Sequence, residues 1–210
     1  MRAAIGVADR EGLAAMSMAR VAEELAVGTM SLYTHVPAKA ELIDLMVDAA
    51  LAERGLEADS SGWREQVRRY AERTREVYRQ HPWLREVSLA RPPLGPGHLA
   101  GQEFLCAVLA GIGLAPHQVG VALGSIAIFV DGAVRAEVEA QELERTTGQS
   151  ADSWWARRQS FWDNHFDPTR YPAINQLWLD GGFAASTTEH RLAVFEFGLD
   201  RLLDGIEEGL

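Results

Sequence analysis

The chain reads as an all-α protein with two parts: a small N-terminal module of short helices and a larger C-terminal bundle of longer ones. Apolar residues recur at spacings of three and four, as in Val21, Ala22 and Leu25 or Leu42, Leu45 and Met46, and no run of alternating β-branched residues is sustained. Segments before about residue 56 are short and those after it are long. The boundary falls between 1–55 and 56–210.

Breaks at Glu11-Gly12, Ala26-Val27-Gly28, Val36-Pro37, Asp59 to Gly62, Arg91 to Gly97, Gly113 to Pro116, Thr147 to Ser150, Asp167 to Pro172 and Gly181 to Thr188 delimit about nine helices. The long ones are expected at Trp63 to Gln80, His98 to Gly111, Pro116 to Leu143, Ala151 to Phe166 and Thr188 to Glu208. Ser17 precedes Met18-Ala-Arg-Val-Ala-Glu-Glu-Leu25, where its hydroxyl can accept the unpaired N–H groups of a helix start. The next segment, Thr29-Met-Ser-Leu-Tyr-Thr-His-Val36, is too short to persist without packing on that helix, which is the helix-turn-helix layout. Val21, Ala22, Leu25, Val27, Leu32 and Val36 supply the apolar seam. The outer face is left with Thr29, Met30, Ser31, Tyr33, Thr34 and His35, a set that can reach base edges, thymine methyls and phosphates. Pro37 is placed to open the following helix, whose first N–H groups and Lys39 can bind a phosphate oxygen.

Composition limits the alternatives. In 210 residues, 47% are hydrophobic and 24% charged, as in an ordinary folded domain. The lone Cys106, set among Phe104, Leu105, Val108 and Leu109, is expected as a buried thiol, and with no internal disulfide available a cytoplasmic location is expected. Asp9, Arg10 and Glu11 stand where a signal peptide needs its apolar centre. The longest apolar stretch, Phe104 to Val130, is cut by Pro116, His117 and Gln118 into core-helix pieces, so no membrane partner is expected. The net charge of -10 opposes non-specific binding to nucleic acid.

Gly12-Leu13, Met18-Ala-Arg-Val-Ala-Glu-Glu-Leu25, Leu32-Tyr-Thr-His-Val36 and Lys39-Ala-Glu-Leu42 resemble, in order and spacing, the DNA-binding domain of tetracycline-repressor (TetR) family regulators. More loosely, Pro93 to His98, Ala110-Gly-Ile-Gly-Leu114 and Asp131-Gly132 are similar to the family branch that contains the tetracycline repressor. The resemblance implies a three-helix helix-turn-helix DNA-binding domain and a C-terminal helical bundle for ligand binding and dimerisation, hence a homodimer on a palindromic, double-stranded operator, with the last helices pairing into a four-helix interface. By position it places Thr29, Met30 and Ser31 at bases, Tyr33, His35 and Lys39 at phosphates, and Ser17 as the cap at the phosphate edge. Three departures matter. Ala26 occupies the turn position where the family usually has glycine, a left-handed conformation costing alanine on the order of 1 kcal/mol unless Gly28 takes part of the bend. Ala19 stands where that branch carries a base-reading arginine, so the operator should differ. The first helix starts almost at Met1 with only Arg2 and Arg10, short of the family's basic arm, and low non-specific affinity is expected.

Beyond the module, Arg64, Arg68, Arg69, Arg73, Arg75 and Arg79 share one segment with Glu65 and Glu72, at spacings that form a salt-bridged face (Glu65 with Arg69, Glu72 with Arg75) rather than a second DNA surface. The run from Trp154 to Phe166 gives two aromatic stripes, Trp155, Trp162 and Phe166 on one side and Trp154, Phe161 and His165 on the other. One stripe can be covered by the chain's own bundle and the other by a partner subunit. The last helix adds Leu192, Phe195, Leu199, Leu202, Leu203 and Ile206, and Trp155, Trp162, Phe166, Phe195, Leu199 and Leu202 are the expected dimer interface.

For a small-molecule effector, Ser125, Asp131 and Arg135 interrupt an apolar helix, with Asp131 and Arg135 spaced to pair, and His81, Trp83, Phe104, Phe129 and His165 could add walls suited to a flat or polycyclic ligand. No H-E-x-x-H, C-x-x-C, G-x-S-x-G or phosphate-binding glycine loop is present, so no enzyme, metal or cofactor is expected. The reading is a ligand-responsive, sequence-specific repressor. The alternatives are a helical small-molecule binding protein with a vestigial DNA module, and a helical enzyme using Asp131, His165 or His81.

Overall fold

The computed structural model describes all residues, Met1–Leu210. The module comprises α1 (Arg2–Glu11), α2 (Met18–Glu24) and α3 (Thr29–Tyr33), and α4 (Lys39–Ala52) leads from it into the bundle. There α5 (Trp63–Gln80), a 3₁₀ turn (Pro82–Glu86), α6 (Pro96–Ala110), α7 (Pro116–Thr147) and α11 (Thr187–Glu207) pack together, while the short α8 (Ala151–Ala156), α9 (Gln159–His165) and α10 (Pro172–Leu179) lie outside the core.

α7 is the axis of the bundle. Ala122, Leu123, Ile126, Val130, Val134 and Val138 recur every three or four residues and are buried, packing α7 against α5, α6 and α11. Gln118 Oε1 accepts the Ala115 N–H at 2.9 Å at its start, and Gly148 closes it in the left-handed region at φ 64°. The break, at Gly111 to Ala115, overlaps the expected Gly113 to Pro116, while Pro116, His117 and Gln118 already belong to α7, which runs on to Thr147. That helix meets the length and composition of a membrane span, yet its apolar stripe faces the other helices and its flank carries Asp131, Arg135 and Glu137.

The arginines of α5 are salt-bridged, mainly to other helices. Arg64 pairs with Asp204 and with Glu207 (2.8 Å), Arg68 with Asp200 (2.7 Å), and Arg75 and Arg79 share Glu137 (2.6 and 2.8 Å). Glu72 does meet Arg75 at 3.4 Å, whereas Arg69 turns to Asp59 rather than Glu65. The face therefore fastens α5 to α7 and α11.

Four further expectations need correction. The segment Ala151 to Phe166 is two helices, because Arg158 lays its guanidinium 3.5 Å from the Trp154 ring centroid and donates to the Trp154 carbonyl (3.1 Å), the acceptor a continuing helix would need. Leu25 and Val27 do not complete the apolar seam; each is nearly half exposed, on the outside of the turn. Cys106 is half-buried on the flank of α6 rather than fully buried. Phe195 and Leu199 are buried in the chain's own core, with Phe195 stacked on Phe129 at 6.0 Å, so neither offers surface to a partner.

Candidate DNA interface and effector cavity

The DNA-facing module is built around one turn. The Ala26 N–H donates to the Glu23 carbonyl and the Val27 N–H to the Ala22 carbonyl, both at 3.0 Å, the paired bonds that close a helix through a left-handed residue. That residue is Ala26, at φ 54°, while Gly28 is ordinary at φ -70°. The strain sits wholly on the alanine, and Gly28 relieves none of it. Ser17 Oγ accepts the Arg20 N–H at 3.1 Å and caps α2.

α3 then projects with none of its residues buried. Met30 is 76% exposed and Tyr33 42%, with Ser31, Thr34 and His35 also on the surface and Thr29 half-buried at the helix start. The Thr34 hydroxyl donates to the Ser31 carbonyl at 2.6 Å, which turns it back onto its own helix. Lys39, the first residue of α4, is exposed and forms no ion pair. The nearby arginines are different: Arg20 meets Glu11 (2.8 Å), Glu24 (3.0 Å) and Glu23 (3.6 Å), and Arg10 meets Glu24 (2.8 Å). Positive charge behind α3 is thus largely neutralised, while Lys39 and His35 stay exposed and outside any ion pair.

Within the bundle a cavity of about 840 Å³ opens between the end of α4, the middle of α5, α6, α7 and the strap after the 3₁₀ turn. Its volume lies within the ordinary range for small-molecule sites. Asp131 and Arg135 both line it and also pair with each other at 2.7 Å. Arg135 donates to the Arg85 and Val87 carbonyls (both 2.6 Å), tying the strap to α7, and Tyr78 donates its phenolic proton to Asp131. Burial and the adjacent Asp131 charge push the Tyr78 pKa far up, so it remains a neutral donor. Arg54, Tyr70, His98 and Gln102 line the cavity as well. Burial, with the nearby Arg54 charge, depresses His98 below the ordinary imidazole range, so the ring is neutral at pH 7.

The other expected ligand residues are placed elsewhere. Ser125 lines a shallower groove with Leu202 between α7 and α11, Phe104 is buried in the core, and Phe129 packs on Phe195. His165 is exposed beside Phe161. His81 and Trp83 are buried where the bundle meets α1, each bonded to Asp9. Conversely, Arg54, Tyr70, Tyr78, His98 and Gln102 line the cavity without having been singled out in the sequence. The one available signal was Arg54, a charged residue ending an apolar helix beside Gly55.

The aromatic stripe Trp155, Trp162 and Phe166 survives the helix break, with ring centroids 6.3 and 5.5 Å apart. Trp155 and Trp162 are exposed and Phe166 half-buried, and on α11 the exposed apolar residues are Leu192, Val194 and Phe197 rather than Phe195 and Leu199.

A helix-turn-helix module joined by one helix to a bundle that encloses a small-molecule cavity defines a ligand-responsive DNA-binding regulator. Residues 57–210 match the family described as tetracyclin repressor-like, C-terminal domain. The chain is 38% identical over 209 residues to the HTH-type transcriptional repressor DrrR1 of Streptomyces coeruleorubidus, covering 99% of this chain and 75% of that protein. It is 25% identical over 196 residues to the HTH-type transcriptional repressor Rv1353c of Mycobacterium tuberculosis, covering 90% of this chain and 71% of the relative. Among solved structures, the Streptomyces coelicolor TetR family protein ActR in complex with actinorhodin superposes with TM-score 0.79 at 29% identity, covering 98% of this chain and 93% of that one. Apo ActR gives 0.80 at 26% identity, over 100% and 95%. The chain belongs to the TetR family of transcriptional regulators.

Proposed function

We propose that this regulator is a homodimeric repressor that occupies a palindromic operator and leaves it when a small molecule enters the cavity. The observation that carries the reading is α4 itself. Lys39 stands at its first residue beside the recognition helix, and at the other end, roughly 20 Å away along a helix rising 1.5 Å per residue, Leu51 lines the cavity together with Arg54, which lies two residues past the helix and donates to the Leu51 carbonyl. A displacement of one end is a displacement of the other.

In this reading residues 1–55 bind DNA and 56–210 bind ligand and dimerise, a division supported by the family match beginning at residue 57. Thr29, Met30 and Ser31 read bases; Tyr33, His35 and Lys39 hold phosphates, and Ser17 and Thr34 fix the helices that present them. The recognition helices of the two subunits must stand about one DNA turn apart. An effector that binds better to a different spacing favours release, with a coupling of about 1–3 kcal/mol being typical. Asp131 and Arg135 face that effector. The exposed aromatic residues of α8 and α9, with the outer face of α11, cover one another across the two-fold axis. The protein works in the cytoplasm, on DNA and effector, without membrane attachment and without catalysing a reaction.

Selection from a random duplex library, followed by titration of the winner at two salt concentrations, tests this. A palindrome with half-sites about one turn apart is the expected result. No enrichment would overturn it in favour of a small-molecule binding protein whose DNA module is vestigial, the reading that the neutralised Arg10 and Arg20 favour.

A further inference from the structure

The charges that line the cavity do not balance. Asp131 is taken by Arg135 and Tyr78, and Glu86 stands 3.7 Å from Arg85. Arg54 is left over. It is 5% exposed, and no carboxylate lies within 4.0 Å of its guanidinium. Asp48, on α4, accepts the backbone N–H of His98 at 2.8 Å and serves the start of α6.

Three of the five guanidinium N–H groups of Arg54 have acceptors, all uncharged: the Leu51 carbonyl (2.9 Å), the Tyr70 hydroxyl (3.3 Å) and the Gly97 carbonyl (3.1 Å). Two donors remain, and so does the proton of the Tyr70 hydroxyl, whose oxygen accepts from Arg54 but whose O–H has no acceptor. The seat is also shaped for the guanidinium. A Cβ at position 101 would fall 2.5 Å from Arg54 Nη2, so glycine is what allows α6 to pass beside it. A buried cation without a counter-charge is costly to maintain, and a charge-assisted bond to an acid offsets that cost.

We infer that the cavity takes an anionic effector, a hydrophobic molecule bearing a carboxylate or comparable acid group, which accepts from the guanidinium of Arg54 and the hydroxyl of Tyr70. The guanidinium fork matches two acid oxygens, and the apolar wall of Leu105, Leu123 and Ile128 receives the remainder of the molecule. This rests on the cavity being the effector site. It also gives that site its lever, because Arg54 closes α4 and is bonded to α6 through Gly97, so the acid binds where the two helices join.

The test is a fluorescence titration with anthracene-9-carboxylate and its uncharged counterpart anthracene-9-carboxamide, on the wild-type chain and on Arg54→Gln, Arg54→Lys, Tyr70→Phe and the cavity-filling Ala127→Trp. The acid should bind the wild type at least tenfold tighter than the amide. Arg54→Gln should bring the two within twofold, Arg54→Lys, which keeps the charge but not the fork, should keep only part of the preference, and Tyr70→Phe should reduce it about threefold. An amide that binds the wild type as well as the acid, or a preference that survives Arg54→Gln, overturns the inference while leaving the cavity as the effector site. Absence of binding by either probe, or binding that survives Ala127→Trp, overturns the effector-site reading and the inference with it. Should Arg54→Gln fail to fold by circular dichroism, the wild-type ratio and Tyr70→Phe decide.

Discussion

His81 of the bundle lies 2.8 Å through Nδ1 from the carboxylate of Asp9 on α1, and this contact joins the ligand-binding part of the chain to the DNA-binding part. The other ring nitrogen, Nε2, meets Glu53 at the end of α4 (3.1 Å), and Trp83 Nε1 donates to the same Asp9 oxygen at 2.8 Å. Both ring nitrogens face carboxylates, so only the doubly protonated imidazolium donates to both. Burial opposes that charge, but the bonds to Asp9 and Glu53 outweigh it and hold the His81 pKa above its ordinary 6.5. A group whose pKa is raised on folding contributes stability in full below its unfolded value and loses it as pH rises through the folded one. Thermal melts of wild type and His81→Gln should therefore differ most near pH 6 and converge as pH climbs through the raised pKa. Parallel curves across that range would show that the imidazolium plays no part.

Ala26 gives the module a correctable flaw. Its φ of 54° is the only positive value at a non-glycine residue in the chain. Relief of that strain is worth on the order of 1 kcal/mol, less what glycine adds to unfolded-chain entropy. Ala26→Gly should raise the urea unfolding free energy by about 0.5 kcal/mol with operator preference unchanged. A lower stability would mean that the turn relaxes in solution.

The helical class and the helix-turn-helix were legible because both rest on local signals: apolar spacing, the Ser17 cap, and glycine and proline at the breaks. The cavity was not. Asp131 and Arg135 stood out as polar residues on an apolar helix, but Tyr70, His98 and Arg54 come from three other helices whose approach no local pattern encodes. Phe195 and Leu199 were misplaced on the expected dimer face for a related reason. Phe195 and Phe197 are both aromatic and both on α11, and only the direction of packing against Phe129 decides that the first is inside. Likewise, the break inside Ala151 to Phe166 depends on Arg158 capturing the Trp154 carbonyl, which spacing rules do not see.

That distinction between neighbours is itself testable. Phe197 is 67% exposed and Phe195 is buried. Phe195→Ala should cost about 3–5 kcal/mol of folding stability, as large-to-small core changes do. Phe197→Glu should leave the fold intact by circular dichroism and shift the sedimentation coefficient from dimer towards monomer. An unaltered dimer would remove the outer face of α11 from the interface.

Lys39 is the only lysine in the chain, so amine chemistry reports on one side chain besides the N-terminal amine. Acetylation by an N-hydroxysuccinimide ester should be suppressed by operator and unaffected by a scrambled duplex of equal length. Lys39→Ala should weaken binding to all sequences and lower the salt slope by about one per subunit, whereas Thr29→Ala and Ser31→Ala should each alter preference at single base positions. Uniform weakening by all three substitutions would overturn the division between phosphate and base contacts.

α6 passes against the backbone of α4 at Gly97 with no room for a side chain. A Cβ at Gly97 would fall 2.0 Å from the Asp48 carbonyl oxygen and 2.9 Å from the Ala52 nitrogen, both backbone atoms that cannot move aside alone. Gly97→Ala must therefore displace α4 as a body, at a cost of about 1–3 kcal/mol for overpacking. Since α4 carries Lys39, that displacement should reach the DNA face and weaken operator binding without any effector present. Gly120→Ala on α7, where an added methyl meets nothing within 4 Å, is the control and should leave operator affinity unchanged. A Gly97→Ala protein that is destabilised but binds operator as tightly as the wild type would show that α4 does not carry the signal between the sites.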